Sequence, residues 1–213
     1  MQKANKSKQC SRKIDWVWII QRILKELEGR DKLIKTIQYF IKLLLHYQFK
    51  SARPYTPLVS QFSITRKILR LGNAIGPLRE MKDADGKERM VLFVKVMNGV
   101  SDDVFCFYKL GLLTDPVGRR AERVAAYCWF ISIAKEMEHA VNLLRQQSSK
   151  HKMTTLDEQD EWMIKVSIVK LFMDGIFCGC DLWRPAYSNG AQAWSGLFSG
   201  LLSLYKLWVK FSF

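Results

Sequence analysis

Five apolar and three basic residues within positions 60–81 have the types and spacing needed to bind an anionic membrane surface. The apolar residues recur at four-then-three spacing, so on a helix they form one stripe of Ile64, Ile68, Leu71, Ile75 and Leu78. The basic residues beside or opposite the stripe are Arg66, Lys67 and Arg70. Such a helix can insert its apolar side below lipid headgroups while its cations attract anionic lipid. The same periodicity also fits a surface helix of a soluble bundle.

Residues that support catalysis or metal binding form no recognisable pattern. Cys178 and Cys180 lack a second ligand pair at zinc-like spacing, so we interpret them as packing residues. The chain has five cysteines, an odd and scattered set that favours reduced thiols over a disulfide framework. No histidine-containing triad and no glycine-rich nucleotide fingerprint can be assigned. We therefore expect a protein that is not an enzyme and that needs no metal or cofactor.

Positive charge is concentrated in the N-terminal part of the chain. The first 90 residues contain 20 Lys and Arg against 8 Asp and Glu, so they carry +12 of the net charge of +14. This surplus favours a polyanionic partner, either nucleic acid or the cytosolic leaflet of a membrane. No nucleic-acid-binding module is recognisable, so we expect an anionic phospholipid membrane and no nucleic acid. The N-terminus has no secretory signal peptide, but its composition also fits a mitochondrial presequence.

A run of 21 uncharged residues, Pro185–Tyr205, lies near the C-terminus. Because about 20 apolar residues can cross the hydrocarbon core of a bilayer, we predict a transmembrane helix over Ala191–Phe211. A second span over residues 124–134 or 166–182 would return the C-terminus to the cytosol, and a buried core helix is the alternative to a span. Small residues recur every four positions in this helix, which is typical of helices that self-associate in membranes. They are Gly196, Gly200, Ser195 and Ser199.

Apolar periodicity and helix-breaking residues predict an all-α, membrane-associated protein with amphipathic N-terminal helices and a C-terminal transmembrane helix. Within this fold, Asp31 is expected to cap a helix that extends to about Phe49, and residues 82–88 are expected to form a loop. Composition divides the chain into four regions. These are a basic N-terminal extension (1–28), a cytosol-facing amphipathic helical region (29–145), a polar linker (146–160) and a membrane-anchoring region (161–213).

Four segments, in this order along the chain, resemble the peroxin-11 family of peroxisomal membrane proteins. The residues shared with the family's N-terminal signature are Gly29, Arg30, Asp31, Lys32, Gln38 and Tyr39. Ser63–Gly72 is similar to its second signature, a basic amphipathic helix with the pattern Arg-Lys-x-x-Arg-Leu-Gly. Phe105–Leu113 resembles its aromatic segment that ends in Gly-Leu-Leu, and Gly196–Trp208 resembles its Gly/Ser-rich C-terminal helix.

The resemblance implies a protein that elongates and remodels the peroxisomal membrane before division. In that family, the amphipathic helix inserts into the cytosolic leaflet, self-association concentrates the protein, and a fission machinery that includes a dynamin-like GTPase is recruited. The implied partners also include a peroxisomal membrane-protein import chaperone. The implied location is the membrane of the peroxisome or of a relative such as the glycosome. The alternative is a membrane channel for small metabolites, for which the candidate polar residues are Lys170, Asp174 and Asp181.

Overall fold

The computed structural model describes residues 16–49, 54–148 and 155–212, and within them it contains eight α-helices and no β-strand. The helices are α1 (Trp16–Lys25), α2 (Leu27–His46), α3 (Thr56–Ile68), α4 (Ile75–Glu80), α5 (Gly86–Lys109), α6 (Asp115–Ser148), α7 (Thr155–Trp183) and α8 (Ser188–Ser212). The predicted all-α fold is confirmed. Residues 1–15 of the predicted basic extension and residues 149–154 of the predicted linker lie outside the described residues.

The long helices pack side by side in the order α2, α8, α7, α6 and α5, and the shorter α3 contacts both α2 and α5. Helix α3 therefore connects the two ends of this row. One apolar cluster joins α2 to α8 through Tyr39, Leu43, Ala193 and Leu197. A second joins α6 to α7 through Ile133, Ala140, Leu171 and Cys178. Helix α1 packs on the C-terminal half of α8 through Ile19, Ile23 and Leu207.

Helices α2 and α8 approach closely because the side of α8 that faces α2 consists of small residues. A Cβ atom built on Gly196 would lie 2.7 Å from the ring of Tyr39, and one on Gly200 would lie 2.7 Å from Oγ1 of Thr36. The close approach that the spacing predicts therefore occurs within one chain. In the folded chain α2 occupies this face, and self-association through it stays a prediction. The buried serines of α8 at the same predicted interface are Ser195 and Ser199.

Large apolar side chains are exposed on several helices, whereas three charged residues, Asp31, Arg66 and Asp174, are buried. On α8 the exposed residues recur at helical spacing and are Trp194, Phe198, Leu201 and Tyr205.

Among the described residues, no helix combines the length and the apolar composition required to cross a membrane. The span predicted over Ala191–Phe211 is thus not supported. A helix is present there, but its serine, glycine and glutamine residues lower its mean hydropathy.

The predicted amphipathic segment is not one continuous helix. Helix α3 ends at Ile68 and α4 begins at Ile75. Between them, Gly72 has a φ of +81°, a conformation that glycine adopts without steric cost. The N–H of Gly72 donates to both carboxylate oxygens of Asp103 on α5, at 3.2 and 3.3 Å. The turn is therefore anchored to α5, and the predicted stripe is divided between two short helices.

Two helix starts also differ from the sequence-based prediction. Helix α2 begins at Leu27, about one turn before Asp31, so Asp31 is an interior residue of the helix and not its N-cap. The buried carboxylate of Asp31 bonds to Arg66 of α3 instead. The loop expected over residues 82–88 ends early, because α5 begins at Gly86.

Candidate functional site

Four of the five apolar residues predicted for the stripe are exposed, on α3, the turn and α4. Ile68, Leu71, Ile75 and Leu78 expose 44%, 36%, 70% and 47% of their surface. Ile64, the fifth residue that the sequence predicted for this stripe, is half-buried. Two exposed cations lie at the C-terminal end of the stripe: Arg79 is on α4, and Lys82 follows that helix. Contiguous exposed apolar groups of this kind mark sites of contact with a membrane or another protein.

Arg66 does not lie on the surface, where a lipid-binding cation was expected. It is buried. Its Nε donates to Oδ1 of Asp31 at 3.0 Å, and its Nη1 donates to Oε1 of Gln38 at 3.0 Å. Its guanidinium carbon also lies 5.9 Å from the ring centroid of Tyr39. Because all three partners belong to α2, Arg66 fastens α3 to α2.

The other two cations predicted to bind lipid also pair within the chain. Nζ of Lys67 donates to Oδ1 of Asp102 at 3.4 Å and lies 4.2 Å from the ring centroid of Phe105. The guanidinium of Arg70 lies 3.7 Å from the carboxylates of Asp31 and Asp102. Of the three cations, Arg70 alone keeps more than a third of its side chain exposed. Sequence reasoning missed these ion pairs because the acidic partners lie on other helices.

The carboxylate of Asp31 remains ionised although it is buried. Burial by itself would raise the pKa of Asp31, but the charges of Arg66, Arg70 and Lys32 outweigh burial and hold the pKa below its ordinary value of 3.8. An ionised carboxylate inside a protein is tolerated only while its cationic partners remain in place. The ion pair is therefore part of the structure that positions α3 on α2.

A second buried carboxylate, Asp174 of α7, connects α7 to α2 and α8. Nζ of Lys35 donates to its Oδ1 at 3.1 Å, Nζ of Lys170 lies 2.8 Å from its Oδ2, and Oγ of Ser199 donates to Oδ1. Burial would raise the pKa of Asp174, but Lys35 and Lys170 lower it. Burial has the larger effect on Lys35, whose pKa falls to about 8 despite the attraction of Asp174.

A polar cavity of about 250 Å³ adjoins this second cluster. Lys170 and Asp174 of α7 lie on its wall, together with Asn98 of α5 and Glu136 of α6. Two of the three polar residues that the sequence nominated for a channel thus come together. The third, Asp181, is exposed and does not line this cavity.

Cys178 and Cys180 lie inside the helical packing. Both are buried, and Sγ of Cys178 donates to the carbonyl oxygen of Ala126 at 3.3 Å. Burial raises the pKa of the Cys178 thiol to about 12. At neutral pH this thiol is protonated, which makes it a poor nucleophile. Within the part of the chain that the structure describes, no group of three or more His, Cys, Asp or Glu could hold a metal ion.

The four segments that carry the family resemblance contact one another in the folded chain. The pairs of residues that join them are Arg66 with Asp31, Lys67 with Phe105, and Gly196 with Tyr39. The motifs are thus parts of one packed unit in which α3 rests on α2 and α5 and presents its exposed stripe outward.

The helical fold and the exposed stripe define an all-α protein whose surface is suited to contact a membrane or another protein. The family model described as Peroxisomal biogenesis factor 11 (PEX11) matches residues 18–208. The chain belongs to this family, so it is a peroxisome-associated protein with a role in the biogenesis and proliferation of that organelle. No curated protein and no solved structure matches it.

Proposed function

We propose that this protein elongates the peroxisomal membrane by inserting the stripe on α3 and α4 into the cytosolic leaflet. The observation that carries the proposal is the exposure of four apolar side chains within residues 68–78 of the folded chain, namely Ile68, Leu71, Ile75 and Leu78. Each CH₂ group that leaves water contributes about 0.8 kcal/mol. Exposed cations near an anionic surface contribute on the order of 1 kcal/mol each.

The ion pairs of α3 give this proposal a mechanical basis. Because Arg66 and Lys67 tie α3 to α2 and α5, the stripe belongs to the folded body and not to a free helix. When the stripe enters one leaflet, the folded body to which it is fixed is therefore drawn against the headgroups. The inserted side chains expand that leaflet, which favours curvature. In this arrangement Arg79 and Lys82, which are exposed, take the lipid-binding role that the sequence assigned to the buried Arg66.

Further partners are proposed from family membership. Self-association would concentrate the inserted stripes, and the fission machinery with its dynamin-like GTPase would act on the elongated membrane. A peroxisomal membrane-protein import chaperone would deliver the chain to the organelle. Self-association through Gly196 and Gly200 would require α2 to leave the small-residue face of α8.

The experiment is a tubulation assay with the full chain on vesicles with and without anionic lipid. Ile75→Glu and Leu71→Glu place a carboxylate in the stripe, so we expect both variants to lose tubulation while they remain folded and targeted to peroxisomes. Leu112→Glu is the matched control, because Leu112 is an exposed apolar residue outside the stripe. Tubulation by the Ile75→Glu variant at the wild-type level would contradict the insertion mechanism.

A channel for small metabolites is the second candidate, and the polar cavity beside Lys170 and Asp174 favours it. The same vesicles separate the two functions when they enclose a small charged dye. Release of the dye that is abolished by Lys170→Gln but unaffected by Leu71→Glu would support a channel. Tubulation by the wild-type chain without any dye release would support remodelling alone.

A further inference from the structure

A cleft of about 620 Å³ opens between α6 and α7 near the ends that connect them. One wall is formed by residues 136–147 of α6 and the opposite wall by residues 160–171 of α7, and α8 contributes Lys206 at the inner end. Its volume lies in the range of about 300–1,000 Å³ that is usual for pockets that bind small organic molecules. Nothing in the proposed insertion of the stripe makes use of this cleft.

Two lysines, Lys170 and Lys206, lie at the inner end of the cleft. Nζ of Lys206 donates to Oγ of Ser167 at 2.8 Å, and Lys206 forms no ion pair with any described residue. Lys170 reaches Asp174, but that carboxylate is already shared with Lys35. Burial, followed by the charge of Lys170, lowers the pKa of Lys206. The three ammonium groups therefore have one buried carboxylate among them.

The lining also includes two acids, Glu136 and Asp160. Glu136 pairs with Lys95 on α5 at 3.2 Å and is half exposed. Asp160 is exposed at the mouth of the cleft. An anionic group at the inner end would be attracted by the ammonium groups of both lysines, and hydrogen bonds between ionised groups are stronger than neutral ones.

Gln147 supplies an independent sign of a missing partner. Its Oε1 is buried, and among the described residues no group donates a hydrogen bond to it. A buried polar atom without a partner costs about 1–3 kcal/mol. The amide of a glutamine can present its oxygen or, after rotation, its NH₂ group. Because this oxygen is shielded from solvent, a ligand in the cleft meets the Gln147 amide only after the side chain rotates.

The remainder of the cleft is apolar, and its apolar lining consists of Ala140, Leu143, Met163, Ile164 and Leu171. We propose that the cleft binds an amphiphilic anion, with a phosphate or carboxylate headgroup between Lys170 and Lys206 and a single alkyl chain along the apolar walls. This chemistry is shared by a lipid of the surrounding bilayer and by a free single-chain amphiphile.

The test measures the binding of dodecyl phosphate, below its critical micelle concentration, to the full chain by isothermal titration calorimetry. Inorganic phosphate probes the headgroup alone, and dodecyl maltoside probes the alkyl chain without a charge. We expect dodecyl phosphate to bind at least about tenfold more tightly than either, because only it uses both parts of the cleft. Equal affinity for inorganic phosphate and dodecyl phosphate would overturn the proposed alkyl site.

Lys206→Gln is the decisive variant, since it removes the charge and keeps a group able to bond to Ser167. We expect this substitution to lower the affinity for dodecyl phosphate about tenfold. Lys210→Gln, one turn later on α8 at an exposed position, should bind as the wild type does. Unchanged affinity of the Lys206→Gln variant would overturn the proposal. If that variant fails to fold by circular dichroism, Leu143→Glu, at a partly exposed wall position, must weaken binding in its place.

Vesicles distinguish the two sources of the ligand. If phosphatidic acid vesicles, but not phosphatidylcholine vesicles, displace dodecyl phosphate from the wild type, the natural ligand comes from the bilayer. If neither displaces it, the ligand is a free amphiphile. Failure of this inference is separable from failure of the proposed function, because the Leu71→Glu and Ile75→Glu variants leave the cleft intact.

Discussion

Arg66 is the residue on which the position of α3 depends most directly. Its guanidinium lies between the carboxylate of Asp31 and the amide of Gln38, so it satisfies two buried polar side chains at once. Lysine cannot reproduce the fixed, planar geometry with which Nε and Nη1 reach these two partners. The exposed stripe that follows on the same helix is therefore held in place by a cation that never reaches the surface.

Replacement of Arg66 by Ala should leave Asp31 buried without its main partner. We expect the free energy of unfolding to fall by about 3 kcal/mol, as measured by chemical denaturation followed by circular dichroism. Arg79→Ala removes an exposed arginine of α4 and should change the free energy of unfolding by less than about 0.5 kcal/mol. Equal stability of the Arg66→Ala variant and the wild type would show that the buried ion pair does not form in solution.

Helix α8 is the element whose packing most clearly reflects its composition. One side carries small residues against α2, and the opposite side carries the exposed aromatic and aliphatic residues. The absence of side-chain bulk at Gly196 allows the ring of Tyr39 to lie directly on the backbone of α8. Close approach of two helices at such positions depends on the lack of a Cβ atom.

Gly196→Ala should separate α8 from α2, since the new Cβ would lie 2.7 Å from the ring of Tyr39. We expect a loss of about 1–3 kcal/mol in the free energy of unfolding, which is the usual cost of overpacking. Gly86→Ala is the control, because nothing lies within 4 Å of its Cβ position. If Gly196 instead joins two copies, the substitution would change the mass found by light scattering and leave the stability of the monomer unaffected.

The helices themselves can be predicted from apolar spacing and breaking residues, but their partners cannot. The spacing around Gly196 specifies a close helix contact, and both α2 and a second copy of the chain satisfy it. The charge of Arg66 suggests exposure when only its neighbours are considered, because Asp31 lies 35 positions away. Pairing over that distance depends on how α2 packs against α3, which the periodicity of either helix does not encode.

For the whole molecule, buried charges make stability depend on pH. The cationic neighbours of Asp31 and Asp174 lower the pKa of each carboxyl below 3.8 in spite of burial. Their stabilising effect is complete above the pKa of the unfolded chain and is lost as pH falls through the lower folded values. Lys35 has the opposite sign: its pKa falls from 10.5 to about 8, so its destabilising effect is relieved as pH rises between those values.

We therefore expect the free energy of unfolding to decrease as the pH falls below about 4. Asp174→Asn removes one of the two buried carboxylates and should flatten this acid dependence, in addition to lowering stability at neutral pH. Asp83→Asn, at an exposed position after α4, should leave the slope unchanged. Denaturant titrations at several acid pH values give the slope directly, and an identical slope for Asp174→Asn and the wild type would contradict the expected role of Asp174.

The contact between α2 and α8 also fixes when the chain can fold during its synthesis. Lys35 bonds to Ser199, which the ribosome adds 164 positions later. At roughly 5–20 residues per second, this addition takes on the order of ten seconds. Throughout that interval the inward side of α2 has no native partner, and neither Lys35 nor Tyr39 can reach its final environment. The contact between α2 and α8 therefore forms only after Ser199 has been synthesised.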